Sequence, residues 1–289
     1  MNTCDDGSIK IVYDCIPCAI GSLITLFEKG VVPQQQQADT MRALLQYLSQ
    51  INFNGSPPIL GKEMHRVIRN VLHDPDPYYQ IKKQFNALLL QHYEKLKSEV
   101  DAAADPFQAA LRLAIAGNII DYGANRSFDI DETLHKAKTV QFAVDHSLQL
   151  KQALNMAQTL LYLGDNAGEI VLDRILIETI KHPHVYFAVR ESPIINDATM
   201  EDAQQVGMDK VATVISNGDD APGTVLSHTS PEFRKIFEQA DLIISKGQGN
   251  FEGLSSCRKN IYFLLMAKCH HVAHHLGVSK GDFVVKRGA

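Results

Sequence analysis

Leu160–Asp173, which reads Leu-Leu-Tyr-Leu-Gly-Asp-Asn-Ala-Gly-Glu-Ile-Val-Leu-Asp, decides the fold of this chain. The short apolar run 159–163 is long enough for a buried strand, and Gly164 ends it. Asp165 and Asn166 follow at once, and the apolar residues that come after them suit a buried helix. Open α/β sheets bind their ligands where a strand gives way to a helix in this manner. The stretch therefore predicts a ligand site at the carboxyl ends of sheet strands.

The carboxylate and the amide at positions 165 and 166 are hard oxygen ligands of the kind that Mg²⁺ and Mn²⁺ prefer. The free N–H groups at the start of the following helix favour an anion such as phosphate. The same two residue types are common in plain turns and helix caps, and a turn is the favoured interpretation of this stretch by itself. A functional site needs support from other parts of the chain.

Composition excludes several classes of protein. The 289 residues are 45% hydrophobic and 21% charged, an ordinary globular balance with enough length for one large domain or two smaller ones. The net charge of −5 argues against a protein that binds a nucleic acid backbone. No run of 18 apolar residues occurs, so we expect no membrane span. Five cysteines, an odd number, in a long chain without a signal pattern fit a reducing cytoplasm.

The pattern of apolar residues changes near residue 150. Residues 1–150 repeat apolar positions at helical spacings, and no strand is predicted among them. In residues 151–289 short apolar runs alternate with helical stretches, which predicts a doubly wound, mostly parallel sheet with helices on both faces. The expected fold is α/β, with an N-terminal helical bundle and a C-terminal domain that binds metal and phosphate. The predicted strands are 159–163, 185–189, 211–215, 242–245 and 283–285, with 261–267 of uncertain type.

Three further strand ends carry polar residues. Asp197 is predicted as a third oxygen ligand or as a helix cap, and the loop 216–224 is polar with two glycines. Lys246 precedes a Gly-rich loop, where a lysine can act as a point charge for phosphate. It does not match the phosphate-binding P-loop, because there the lysine follows the glycines. Together the strand ends predict one divalent cation and one phosphate group, which suits metal-assisted phosphoryl transfer.

Asn118 and Asp121 lie three residues apart at the end of a predicted apolar helix, so they share one face of it. Two interpretations are open for this pair. The residues form a hydrogen-bond network at the helix end, or they line the same cleft as Asp165.

Cys15 and Cys18 form a C-x-x-C pair at the start of a predicted helix. This spacing suits a structural metal ion or a redox disulfide, and two packed thiols are an equal alternative. Cys257 and Cys269 could complete a metal site if the fold brings them close. The four histidines of segment 270–275 are interpreted as surface residues, because the segment lacks the glutamate of a metalloprotease motif.

Several of these segments together resemble the damage-control phosphatase family, long called domain of unknown function 89. Leu163–Ile170, Pro193–Thr199 and Lys246–Glu252 carry the resemblance. Ala116–Gly123 and Cys15–Cys18 are similar to segments of its prokaryotic-type branch. The resemblance covers nearly the whole chain, in order, and it implies a helical first domain and an α/β second domain.

The resemblance implies a metal-dependent phosphatase that acts on small phosphorylated metabolites, often sugar phosphates or damaged cofactor precursors. It implies one divalent cation, which would be Mn²⁺, Ni²⁺, Co²⁺ or Mg²⁺. By motif match, the metal ligands are Asp165, Asn166 and Asp197, and the two aspartates among them are the catalytic candidates. By the same match, Lys246 and Asn250 bind phosphate, and Asn118 and Asp121 line the site.

The leading hypothesis is a phosphomonoesterase in which either an activated water or a carboxylate attacks phosphorus. The alternative is a non-catalytic, metal-dependent binder of a nucleotide or sugar phosphate in the same cleft. A methyltransferase is a poor match, because its cofactor needs a Gly-rich loop after the first strand. No nucleic acid or membrane partner is expected, and the oligomeric state stays open.

Overall fold

A seven-stranded sheet with helices on both faces forms the centre of the computed structural model, which describes residues 9–117, 139 and 141–288. The strand order is β1-β7-β6-β5-β2-β3-β4, and every neighbouring pair is parallel except β6 with β7. The predicted α/β fold is confirmed. The strands are β1 (Phe142–Asp145), β2 (Leu160–Leu163), β3 (Val185–Val189), β4 (Thr213–Ser216), β5 (Leu242–Lys246), β6 (Ile261–Met266) and β7 (Phe283–Arg287).

Eleven helices lie within the described ranges, and none of them is long and apolar enough to cross a membrane. They are α1 (Cys15–Glu28), α2 (Gln34–Leu48), α3 (Pro57–Leu72), α4 (Tyr79–Asp101), α5 (Pro106–Ala116), α6 (Ser147–Met156), α7 (Glu169–Ile180), α8 (Met200–Gln205), α9 (Pro231–Gln239), α10 (Gln248–Leu254) and α11 (His270–Leu276).

The buried apolar side chains form three clusters. Helices α4 to α8 pack on one face of the sheet, and α9 to α11 pack on the other. Helices α1 to α3 have an apolar core of their own. The N-terminal helices therefore fall into two groups. Helices α1 to α3 pack mainly against one another, while α4 and α5 pack on the sheet.

The order of the strands reverses at β2. From β2 the chain adds β3 and then β4 on one side, and it returns to add β5 and β6 on the other side. The loops after β2 and β5 leave the same edge of the sheet in opposite directions, which opens a crevice between them. Ligands of open α/β sheets bind in such a crevice.

Two details of the sheet differ from the pattern-based expectation. The segment of uncertain type is a strand, β6, which runs parallel to β5. A strand also precedes residue 159, because β1 pairs in parallel with β7 at the edge of the sheet. Four residues with alternating half-buried positions carry too weak a pattern to be recognised as a strand. The sheet thus includes β1, which lies before residue 150. The division of the chain into domains of residues 1–150 and 151–289 remains a prediction.

Close backbone contact joins the loop after β4 to helix α10. A Cβ atom added at Gly249 would overlap the carbonyl oxygen of Pro222, and one added at Gly253 would overlap that of Thr224. Since neither neighbour is a flexible side chain, the loop can pack this tightly only against glycine.

We expect Gly249→Ala to lower the free energy of unfolding by roughly 1–3 kcal/mol, the usual cost of overpacking a tight contact. Gly21→Ala in α1 is the matched control, because Gly21 is an exposed helical glycine with no atom within 4 Å of the added Cβ. That variant should gain about 0.5–1 kcal/mol from helix propensity. Urea unfolding of both variants measures the difference, and equal effects would contradict the contact.

Candidate functional site

Asp165 lies at the point where the strand order reverses. It follows Gly164 at the end of β2, and its carboxylate lies against Gly247 at the end of the neighbouring strand β5. Gly247 has a φ of +79°, and a Cβ there would overlap the Asp165 carboxylate. The glycine therefore allows the aspartate side chain to lie across the end of β5, inside the crevice.

Backbone hydrogen bonds hold the loop after β2 against the loop after β3. Asn166 pairs with Asp197 in an isolated antiparallel bridge. The Ala198 N–H donates to the Asp165 carbonyl at 2.8 Å, and the Ala167 N–H donates to the Asn196 carbonyl at 2.8 Å. These bonds bring together the three side chains that the sequence predicted as oxygen ligands.

Each of the two carboxylates uses one oxygen within the protein. Asn166 Nδ2 donates to Asp165 Oδ2 at 2.9 Å and to Glu169 Oε2 at 3.1 Å. Arg190 Nε donates to Asp197 Oδ2 at 2.8 Å. Within the described ranges, no hydrogen bond reaches Oδ1 of Asp165 or of Asp197. As far as the described residues go, these two oxygens and the amide oxygen of Asn166 accept no hydrogen bond, so they are the candidate ligand atoms.

Electrostatics also favours a cation at this place. Burial, and then the charges of Glu169 and Asp197, raise the pKa of Asp165 well above its ordinary value. Burial raises the pKa of Asp197 as well, although Arg190 opposes the shift. A divalent cation would offset the repulsion among these carboxylates. In the described part of the chain no three His, Cys, Asp or Glu side chains are spaced to hold a metal. The candidate set is therefore two carboxylates and one amide.

Lys246 lies beneath this set rather than in the crevice. It is fully buried, and its ammonium group donates to Glu169 Oε1 at 2.6 Å, to Asp173 Oδ1 at 2.5 Å and to the Ala114 carbonyl at 2.7 Å. Burial lowers its pKa, but the two carboxylates outweigh that effect and raise the pKa above the ordinary value. All three protons are used, which argues against the predicted contact between Lys246 and a substrate phosphate.

Asn250 is engaged in the same way. Its Nδ2 donates to the carbonyls of Lys246 at 2.7 Å and of Gly164 at 3.2 Å. Its Oδ1 accepts from Thr224 Oγ1 at 2.8 Å and from Arg190 Nη2 at 3.2 Å. Since these four bonds use all its polar groups, Asn250 ties the ends of β2, β3 and β5 together, and the geometry argues against direct contact with phosphate.

Two residues near the site had no assigned role in the sequence. Lys268 comes shortly after β6 at the same edge of the sheet, and its charge lowers the pKa of both Asp165 and Asp197. Its side chain is half-buried. Asn86 of α4 is fully buried and its Oδ1 accepts from the Gly168 N–H at 2.6 Å, at the start of α7.

Comparison with known proteins supports this view of the chain. The family model of the damage-control phosphatase ARMT1-like domain matches residues 11–284. The chain belongs to this family. A damage-control phosphatase from Pyrococcus horikoshii is 36% identical over 287 residues, and the match covers 96% of this chain and 98% of that protein. A damage-control phosphatase from Archaeoglobus fulgidus is 37% identical over 289 residues, with 96% and 99% covered.

The fold of this family member also matches a solved structure. The crystal structure of a domain of unknown function 89 protein from Pyrococcus horikoshii aligns with a TM-score of 0.89 at 34% identity. The alignment covers 97% of this chain and 100% of that chain, so the two proteins share the same fold.

The remaining predicted site residues lie elsewhere. Asn118 and Asp121 are outside the described residues. Cys15 and Cys18 lie on the first turn of α1, and Cys269 precedes α11. Three of the four histidines of α11 are exposed, in agreement with their interpretation as surface residues.

Lys246→Met should lower the free energy of unfolding by about 3–5 kcal/mol, because it leaves two buried carboxylates without their counter-ion. Lys210→Met, at an exposed lysine, is the control and should change it by less than about 0.5 kcal/mol. Urea unfolding measures both values. A Lys246→Met variant of nearly unchanged stability would contradict the role given to Lys246 beneath the site.

Proposed function

We propose that this member of the damage-control phosphatase family is a phosphomonoesterase that hydrolyses small phosphorylated metabolites with the help of one divalent cation. Sugar phosphates and damaged phospho-metabolites are the proposed substrate class. The observation that carries the proposal is the meeting of Asp165, Asn166 and Asp197 at the strand-order reversal, with three oxygens that accept no hydrogen bond from the described residues. The names of its relatives support the activity class.

The proposed metal ligands are Asp165, Asn166 and Asp197. A bound Mn²⁺, Ni²⁺, Co²⁺ or Mg²⁺ ion would polarise the phosphoryl oxygens of the substrate. The side chain of Arg190 holds Asp197 in place through its 2.8 Å hydrogen bond, and Asn166 does the same for Asp165. The ligands are therefore oriented before any cation binds, which reduces the rearrangement that binding requires.

Lys268 is our proposed phosphate-binding residue in place of Lys246. Its charge acts on both aspartates and its side chain is half-buried, whereas Lys246 is fully buried and donates to three acceptors. A lysine at this position would bind the phosphate of the substrate and offset the negative charge that develops during transfer.

Asp165→Asn should reduce phosphatase activity by about 100-fold or more, because the variant keeps the shape of the side chain but loses a charged metal ligand. The assay is phosphate release from a panel of sugar phosphates with Mn²⁺, Co²⁺, Ni²⁺ or Mg²⁺ added after chelation. Asp39→Asn is the control, since the Asp39 side chain is 73% exposed and far in sequence from the site.

Full turnover by Asp165→Asn, or turnover that persists unchanged after chelation, would contradict this metal site. Tight, metal-dependent binding of a sugar phosphate or nucleotide without phosphate release under any of these cations would instead favour the non-catalytic binder.

Lys268→Ala should lower kcat/KM by roughly 10- to 150-fold, the equivalent of one hydrogen bond to a charged group. Lys268→Arg should restore part of the loss. The control is Lys259→Ala, at the opposite end of β6, where the ammonium group donates to the exposed Glu238 carbonyl. Steady-state kinetics with unchanged values for Lys268→Ala would remove this residue from the proposed phosphate site.

A further inference from the structure

The first turn of α1 carries two thiols in the reduced state. Cys15 and Cys18 are both free, Cys15 is half-buried and Cys18 is exposed. Residues three apart on a helix have Cβ atoms about 5–6 Å apart, and a disulfide needs about 3.5–4.5 Å. Joining them requires a local adjustment at the helix start, where the Cys15 N–H donates to the Val12 carbonyl at 2.9 Å and the Cys18 N–H donates to the Asp14 carbonyl at 3.3 Å.

The charges of a third thiol and of a buried carboxylate act on this pair. Cys269 Sγ accepts hydrogen bonds from the Val272 N–H at 3.5 Å and from Gln248 Nε2 at 3.6 Å. The same Gln248 amide donates to Glu252 Oε1 at 2.9 Å. The charges of Glu252 and Cys269 act on both Cys15 and Cys18, so the three thiols and the carboxyl group share one region between α1, α10 and α11.

Glu252 is a suitable proton acceptor for chemistry at this place. It is 8% exposed, and burial raises its pKa to about 7, although the Gln248 hydrogen bond opposes the shift. A carboxyl group with such a pKa exchanges protons with a thiol efficiently near neutral pH. The charged and titratable groups that act on this region are the three thiols, Glu252 itself and Lys280, whose charge acts on Cys18.

We propose that Cys15 and Cys18 form a thiol–disulfide exchange site, distinct from the phosphoryl site, which reacts with small organic disulfides and uses Glu252 as the proton acceptor. Cys18 is the attacking thiol because it is exposed, and Cys15 is the resolving thiol because it is half-buried. Cys269 has a structural role, because its sulfur accepts hydrogen bonds from the start of α11 and from the Gln248 side chain.

The reaction is balanced with glutathione disulfide as the oxidant. The Cys18 thiol loses its proton to solvent and attacks one glutathione sulfur, which forms a mixed disulfide and releases one glutathione thiolate. Cys15 passes its proton to Glu252 and attacks the Cys18 sulfur, which releases the second glutathione. Both released thiolates take up a proton. Two protein thiols are thereby oxidised to one disulfide, and one glutathione disulfide is reduced to two glutathione molecules.

The surroundings favour a disulfide that persists once it has formed. Partial burial and the neighbouring acidic groups raise the pKa of both Cys15 and Cys18 above the ordinary value. In strongly oxidising dithiol proteins, a low thiol pKa stabilises the reduced form as a thiolate. A high thiol pKa provides no such stabilisation, so the balance favours the disulfide.

The test incubates the reduced full-length protein with glutathione disulfide and maps the products by peptide mass spectrometry. The expected product joins Cys15 to Cys18 without a lasting glutathione adduct. Cys15→Ser should trap glutathione on Cys18, while Cys18→Ser should react on the order of tenfold more slowly, because Cys15 is less accessible. Cys269→Ser is the matched control and should still form the Cys15–Cys18 bond.

Glu252→Gln should slow the formation of the disulfide by about tenfold or more at pH 7, with the loss shrinking as the pH rises above the pKa of the thiols. Phosphate release by Cys15→Ser and Cys18→Ser should stay within about twofold of the unmodified protein, which separates this site from the proposed function. A persistent glutathione adduct on the unmodified protein, a bond between Cys18 and Cys269, or no reaction until the protein is unfolded would each overturn the proposal.

Discussion

The candidate site depends on a short length of backbone in which the loop after β2 is hydrogen-bonded to the loop after β3. The bonds of Ala167 and Ala198, together with the bridge between Asn166 and Asp197, leave these loops little freedom. Metal ligands on separate loops would otherwise lose considerable conformational entropy when they converge. Here folding has already ordered them, so their side chains are close together before a ligand arrives.

Buried cations support this arrangement from below. Lys246 bonds to Glu169 and Asp173, and Arg190 bonds to Asp197 and Asn250. A buried charge is tolerated only when it is paired and hydrogen-bonded, so these cations fix the orientation of the acidic groups around them. Lys268 differs from them in burial, because it is only half-buried while its charge still acts on both Asp165 and Asp197.

The helices before the sheet also contribute to the site. Asn86 of α4 binds the start of α7 and also donates to Asp202 at 3.0 Å. Lys62 of α3 pairs with Asp219 and, at 3.0 Å, with Asp220 in the loop after β4. Movement of α4 relative to the sheet would therefore disturb the loop after β2, which carries two of the candidate ligands, and movement of α3 would disturb the loop after β4.

Local patterns in the sequence determined the class of fold and the place of the first candidate ligands. Short apolar runs between helical stretches predict a parallel sheet, and a polar pair directly after a strand predicts a strand-end site, as at Asp165 and Asn166. Lys268 carried a usable signal, since it follows the apolar run that proved to be β6. Asn86 carried a weaker signal, because its place three residues before the buried Leu89 indicates the buried face of α4 but does not show which group it bonds to.

The tertiary structure decided which of the polar residues at the strand ends are buried with their hydrogen bonds used inside the protein. Lys246 and Asn250 stand at a strand end, as the sequence predicted, yet both are buried and their hydrogen bonds are used within the protein. The direction of a side chain depends on the partners that distant segments supply, and for Lys246 these are Glu169, Asp173 and the Ala114 carbonyl. A sequence pattern has a range of a few residues, whereas these partners are as many as 132 residues away.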